Sequence, residues 1–310
     1  MRIGLTGGGS SVDSIVRQAK QAEEDGFAAL WYASAVAGDP LVAMALAGRA
    51  TSSIELGTAV LQTYPCHPLL QANRAVAAAN AMGRPGFALG LGPSHRPVVE
   101  DVLGLSYDHP GRSTDEYVRI VAALLREGEA DFDGADWSTH SAGRMAAAEH
   151  PIPVLLAALS PRLLRVAGRY SDGVILWLAS AAALEGVIMP VLTAAATEAG
   201  RPAPRVVAGL PVAVHDDRAE ARAAVAATAT GYAAMSNFER IIETGGGSSA
   251  ADVAIVGDEQ AVQGQLERLI AAGATEVWAQ PVAVGADRDR RRSSLQRTRA
   301  LLSAVARQPV

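Results

Sequence analysis

Two short stretches carry residue types that could do chemistry. In LAALSPRLLRVAGRYSDGVILW (156–177), small apolar residues run into Ser160-Pro161-Arg162, and a second apolar run follows Asp172-Gly173. Ser160 stands where a helix N-cap belongs, and Pro161 at the first helical position, where its missing N–H is no loss. Two readings are open here. One is an ordinary capped helix start; the other is a phosphate seat made from helix N-terminal amides and the Arg162 guanidinium. In Gly92-Pro93-Ser94-His95, a histidine follows another apolar run. An imidazole that titrates near neutrality suits proton transfer, and a helix-start histidine bonded to backbone is the equal alternative. His67 either carries a proton or packs under Pro68, while His109 in Tyr107-Asp108-His109-Pro110 reads as a loop residue. Gly7, Gly8 and Gly9 let a ligand approach the backbone or form a plain turn.

Other chemistries lack their patterns. The 6 histidines and 1 cysteine show no HExxH, no paired CxxC and no clustered ligand spacing, so no metal is expected. Asp131, Asp133 and Asp136 resemble the start of a calcium loop without its closing glutamate. No strand-Gly-x-Gly-x-x-Gly-helix unit appears, which argues against a nicotinamide-binding Rossmann domain.

The elements that position these residues alternate. Apolar runs occur at 2–6, 28–33, 54–61, 86–92, 152–158, 173–178, 206–214 and 275–282. Several lack period-two alternation, as expected of parallel strands buried on both faces. Between the first two runs, Val12, Ile15, Val16, Ala19 and Ala22 recur at helical spacing, and Ser10 with Asp13 is a candidate capping box. A helix is expected to open near Asp258, bury Val262, Leu266, Leu269 and Ile270, and stop at Gly273. Eight strands alternating with helices predict an α/β fold, a (β/α)8 TIM barrel, as a single domain over 1–310. About 60 residues separate the fourth from the fifth strand, and a similar length the seventh from the eighth, against ordinary loops of 2–6. These are insertions after strands 4 and 7. The first holds a helix near 114–127 and a hairpin, ADFDGADWST, turning at Asp133-Gly134. The second holds a helix from near Arg218 and the stretch GGGSSAAD (245–252), read as a flexible link or a lid over the barrel mouth. Trp31 and Trp177 are read as core, and Arg288, Arg290, Arg291 and Arg292 as the solvent face of the last helix.

Composition bounds the partners. With 49% hydrophobic and 19% charged residues, the chain can bury a sizeable core. A net charge of −5 speaks against nucleic acid or an anionic membrane as the main partner. Cys66, alone, excludes an internal disulfide framework and fits a reducing cytoplasm. The N-terminus lacks a basic n-region, and no stretch approaches the roughly 20 apolar residues of a membrane span. A cytoplasmic location is expected.

Four stretches together resemble a known family: LGTAVLQTYPCHPLLQA (56–72), GLGPSHRPVVEDVLGLSYDHPGRSTDEYV (90–118), 156–177, and VGDEQAVQGQLERLIAAGATEVW (256–278). They resemble the luciferase-like oxidoreductases, most of all the actinobacterial branch that uses the deazaflavin coenzyme F420. The resemblance spans nearly the whole chain in order. It implies that Ala158, Leu159, Ser160 and Pro161, with Arg162, hold the cofactor phosphate. It also implies a bulge after strand three, often with a non-prolyl cis peptide, that backs the deazaflavin ring. Ala59-Val60 matches that bulge, with Leu61 and Gln62 next to the ring; Thr6, Gly92 and Ser94 complete the expected cofactor-binding set. Homodimerisation is implied as well.

The sequence departs from the family pattern on the substrate side. Cys66 stands where relatives carry an arginine before His-Pro, and Tyr32-Ala33-Ser34-Ala35 replaces an Asp-His pair. Ser113-Thr114-Asp115-Glu116 replaces His-Met-Arg-Glu. The resemblance implies hydride transfer between F420 and a small organic substrate with a C=C, C=N or C=O group. His95, by its place after strand four at the active-site end, is the expected catalytic proton carrier. An FMN-dependent monooxygenase with a separate reductase, and a non-catalytic flavin-binding barrel, are the alternatives.

Overall fold

Strands form where apolar residues run without alternation, and the glycines among them decide how closely they pack. The computed structural model describes residues 1–232 and 235–308. The strands in chain order are β1 Ile3–Gly7, β2 Ala29–Tyr32, β3 Glu55–Thr58, β4 Leu61–Gln62, β5 Phe87–Gly92, β6 Asp131–Asp133, β7 Ser138–His140, β8 Val154–Leu156, β9 Gly173–Trp177, β10 Arg205–Val214, β11 Ile255–Gly257 and β12 Glu276–Pro281. Eight of them, β1, β2, β3, β5, β8, β9, β10 and β12, pair in parallel, and the β9–β10 pairing closes the ring. This is a (β/α)8 barrel.

The helices are α1 Val12–Glu24, α2 Pro40–Arg49, α3 Pro68–Met82, α4 Pro110–Glu127, α5 Pro161–Tyr170, α6 Ala181–Ala183, α7 Met189–Glu198, α8 Arg218–Thr228, α9 Ser236–Thr244, α10 Ala250–Val253, α11 Glu259–Ala271 and α12 Arg288–Ala306. The insertion after the fourth barrel strand, β5, carries the α4 helix and the β6–β7 hairpin; the one after the seventh, β10, carries α8 to α11 and β11. The stretch 245–252 is a turn that runs into α10. Strand β11 has no counterpart among the expected strands: three residues suffice because they extend only the last three of β10.

Caps are local, and one shifts by a residue. The box at α1 is made by Ser11 and Ser14, each side chain meeting the other's backbone N–H, in place of Ser10 and Asp13. At α11, Asp258 caps the start and Gly273, at φ +111°, lies just past the end, both at the expected places. The arginine run at 288–292 is exposed on α12. The 18 residues Ala181–Glu198 are long and apolar enough to cross a membrane, contrary to the expectation of no such stretch; they are the barrel helix between β9 and β10, and α7 packs on α5.

The barrel interior is filled by Trp31 with Ala29, Ala88, Leu155, Ile175, Val207 and Trp278. Trp31 is fully buried because its neighbours across the ladder are small. A Cβ on Gly57 would lie 2.2 Å from its ring, and one on Gly4 2.8 Å from its Nε1. Below it, an ionic floor closes the N-terminal end: Trp31 Nε1 donates to Glu276 (2.8 Å), which also pairs with Arg2 and Arg205, and Arg205 reaches Glu55 at 2.6 Å.

Candidate active site

The C-terminal ends of the strands form the mouth, where barrels of this kind carry their chemistry. At the end of β3, the Thr58 hydroxyl donates to the Gly90 carbonyl and accepts from the Gly90 N–H, both at 2.8 Å. It takes over one rung of the ladder, so the chain can leave the sheet for two residues before β4 resumes pairing with β5. Residue 90 must be glycine for this approach, since a Cβ would lie 1.9 Å from the Thr58 carbonyl oxygen. Between β3 and β4 the Ala59–Val60 peptide is cis, at the place the family resemblance implied. Thr58 and Gly90 were not among the expected site residues; the signal would have been a buried threonine one step before the bulge.

Ser94 leaves the end of β5 with φ +64°, and its Oγ is buried with no hydrogen-bond partner among the described residues. Its carbonyl accepts from the Tyr107 hydroxyl at 3.0 Å, which folds the first insertion back over the mouth. Tyr107 stacks on Tyr64 (centroids 5.3 Å apart), and burial pushes its phenol up to about 12. Next in line, His95 is partly buried, its ring 5.5 Å from that of Phe238 on α9. Neither of its ring nitrogens makes a hydrogen bond among the described residues, and burial lowers its pKa from the ordinary histidine value.

Two indoles lie side by side over Gly209, one from each strand that flanks β10. Trp177 and Trp278 have centroids 4.9 Å apart, and Trp278 Nε1 donates to Thr6 Oγ1 at 2.9 Å. A Cβ on Gly209 would lie 2.3 Å from the Trp278 ring and 2.8 Å from that of Trp177. Trp31 is core as expected; Trp177, partly buried, packs against the core at the end of β9.

The stretch 156–177 does what a helix start does, and more. Ser160 caps α5, accepting from the Leu163 N–H at 3.3 Å. The amides of Ala158, Leu159, Ser160 and Arg162 have no acceptor among the described residues. Ala158 is fully buried, and the donors left to form a cradle for an oxyanion are those of Leu159, Ser160 and Arg162 at the start of α5. The Arg162 side chain is not aimed into it. It lies over Gly111 and lines a cleft of about 140 Å³ with Asp115, Arg165, Arg169 and Tyr170, between α4 and α5. Burial raises the Asp115 carboxyl there.

The remaining candidates separate cleanly. His67 is structural: Nδ1 accepts from the Leu69 N–H, and Nε2 lies 3.1 Å from the Ser138 carbonyl, so both nitrogens are committed to backbone. His109 precedes α4 without a side-chain cap. Glu116 accepts from the amides of Ala135, Asp136 and Trp137, and Ser113 from Trp137 Nε1, which ties the hairpin to α4. Of Gly7, which ends β1, and Gly8 and Gly9, which follow it, only Gly8 has open space where a side chain would stand. Among the described residues, no group of three or more His, Cys, Asp or Glu side chains is placed to hold a metal.

Comparison with known proteins agrees with this layout. The family model described as luciferase-like monooxygenase matches residues 2–301. The F420-dependent hydroxymycolic acid dehydrogenase of Mycobacterium tuberculosis is 30% identical over 229 residues, covering 68% of this chain and 62% of that protein. The matches span between 50% and 74% of the length of the first curated relatives. An F420-dependent secondary alcohol dehydrogenase in complex with an F420-acetone adduct shares the fold with a TM-score of 0.74 at 16% identity, covering 97% of this chain and 99% of that one. The FMN complex of the oxygenating constituent of 3,6-diketocamphane monooxygenase from Pseudomonas putida shares it with a TM-score of 0.72 at 16% identity, covering 100% and 99%.

Proposed function

The chain belongs to the luciferase-like monooxygenase family, and from that premise we propose that it is an oxidoreductase of the F420-dependent branch. It moves a hydride between the deazaflavin and a small organic substrate with a C=C, C=N or C=O group. The observation that carries this reading is the cradle at the start of α5, where the amides of Leu159, Ser160 and Arg162, unmet among the described residues, suit a cofactor phosphate. The names of the dehydrogenase relative and of the alcohol dehydrogenase neighbour support F420 as that cofactor.

The residues present fit such a group. Ala158, Leu159, Ser160 and Pro161 would hold its phosphate. Ala59, Val60, Leu61 and Gln62, with Thr6, Gly92 and Ser94, would hold its ring end, where the buried Ser94 hydroxyl has no partner among the described residues. Bound F420 would supply the carbon that gives or takes the hydride. Trp177 and Trp278 keep water from the mouth, and Thr6 fixes the Trp278 indole. His95 moves the proton. Its lowered pKa leaves the imidazole neutral at pH 7, so a ring nitrogen takes a proton from a substrate hydroxyl in the oxidising direction and returns it in the reverse.

An FMN-dependent oxygenase is the second reading, favoured by the FMN-bound neighbour that matches the fold about as well. Titration with oxidised F420 and, in parallel, with FMN, followed by cofactor fluorescence, decides between them. Selective F420 binding supports hydride transfer. FMN preference with oxygen consumption moves the assignment to oxygenation, and binding of neither overturns both.

The same reading includes a cytoplasmic location and a homodimer. Support for the dimer comes from Val42 and Leu46 on α2 and Leu70 on α3, large aliphatic side chains exposed on two helices that pack together. Light scattering on Val42→Lys/Leu46→Lys, expected to be monomeric, tests it.

A further inference from the structure

We propose that the cleft between α8 and α11, on the outer wall of the barrel, is a second anion site, one that takes a small organic polyanion such as a phosphate ester or a polycarboxylate. It shares no residue with the mouth. The cleft has a volume of about 260 Å³ and is lined by Arg218 and Arg222 from α8, Arg268, Gln260 and Gln265 from α11, and Val256 of β11. That is below the range of about 300–1,000 Å³ for drug-sized ligands, so the occupant is small.

Three guanidinium groups line the cleft with no counter-ion among the described residues. Among the described residues, Arg218, Arg222 and Arg268 form no ion pair and no side-chain hydrogen bond, whereas many other arginines of the chain are paired. The nearby carboxylates are engaged elsewhere. Glu220 lies 3.6 Å from His215, Glu259 pairs with Arg297, Glu267 accepts from Gln263, and Asp217 and Asp258 cap their helices. Arg218 and Arg222 are one turn apart on α8, a spacing at which like charges destabilise a helix. Both helices follow parallel strands, so their positive N-terminal ends point the same way and add to the field.

The floor of the cleft is also built at a cost to the helix. Gly264 sits in the middle of α11, where glycine is a poor helix former, and a Cβ there would come no nearer than 3.9 Å to the Arg268 guanidinium. Nothing else crowds that position, so packing does not demand glycine. Its missing side chain is part of the cavity. At Gly257 the Arg218 guanidinium folds over the backbone, 3.1 Å from where a Cβ would stand.

Calorimetric titration of the full-length protein at low salt, with citrate and separately with inorganic pyrophosphate, tests the site and separates carboxylate from phosphate recognition. Saturable one-to-one binding of at least one probe is expected, weakened at least about tenfold in Arg222→Ala and in Arg268→Ala, as loss of a charge-assisted contact implies. Gly264→Leu fills the cleft and favours the helix, so binding is lost while the Tm holds or rises. No saturable heat with either probe, or an affinity that Gly264→Leu leaves unchanged, overturns the proposal. So does weak uptake that sodium chloride of matched ionic strength removes and no variant alters, since that is charge screening alone. F420 affinity is the control. It stays constant in all three variants; a parallel loss would make the cleft part of the cofactor site and overturn its independence.

Discussion

The two ends of the barrel solve opposite problems with similar residue types. At the N-terminal floor, Arg2, Glu55, Arg205 and Glu276 are paired, and even the Trp31 N–H has its acceptor. Burial pulls Arg205 toward deprotonation, and Glu55 and Glu276 more than offset it, leaving its pKa raised. At the C-terminal mouth, by contrast, the Ser94 hydroxyl and the amides of Leu159 and Ser160 have no partner among the described residues, and Ser94 and Leu178 hold left-handed backbone at φ +64° and +62°. Satisfied polar groups stabilise a fold; unsatisfied ones, held in place by a rigid scaffold, are available to a ligand. Stability is thus concentrated at the floor of the barrel and ligand capacity at its mouth.

The largest effect should come from breaking the floor. Glu276→Ala strips Arg2, Arg205 and Trp31 of a shared partner in a fully buried position, and should cost about 3–5 kcal/mol by denaturant unfolding, with F420 affinity retained while the protein is folded. If stability hardly changes, the floor does not hold the barrel and the contrast fails. At the mouth, His95→Ala should lower kcat by about 10²–10⁴ without moving the Tm beyond error.

The pH profile sharpens the same point. Because burial lowers the His95 pKa, the neutral base persists below the ordinary histidine range of about 6.5. Substrate oxidation should therefore stay flat around neutrality and fall only at more acidic pH, where the ring takes up a proton. His95→Gln should remove that limb; a limb that survives in the variant belongs to another group.

Smaller effects test the unmet groups. Ser94→Gly relieves a left-handed conformation that serine disfavours, and should raise stability by about 0.4–1 kcal/mol while weakening F420 binding. Stability up and affinity down together are the signature of a mouth kept strained for a ligand; affinity unchanged would remove Ser94 from the site. The smallest change is expected of Arg162→Ala. Its side chain faces α4, so F420 affinity should move by only about twofold, within the range of ordinary surface substitutions. A drop of tenfold or more would show that the guanidinium turns back to the cradle when the cofactor arrives.

Much of this was legible from local pattern. Strands buried on both faces read as unbroken apolar runs, and the Ser160-Pro161 start and the Asp258 to Gly273 limits of α11 are marked by single residues whose effect is confined to one turn. Where a signal was shared between neighbours, it slipped: Ser11 rather than Ser10 caps α1, because several short polar residues in a row can each serve. Strand β11 escaped notice since its three residues are recognisable only by the β10 edge they meet. His67 was ambiguous for a comparable reason, its Nε2 partner Ser138 lying 71 positions away.

The alternation of strands and helices, the two long connections and the helix start that faces the mouth follow from local pattern alone, because each is written in residues within a few positions of one another. Only the tertiary structure decided that Thr58 meets Gly90, that Trp177 lies beside Trp278, that Phe238 comes down on His95 and that Arg162 turns toward α4. Such meetings depend on which side chains the closed barrel leaves room for, and room is a property of the packed whole.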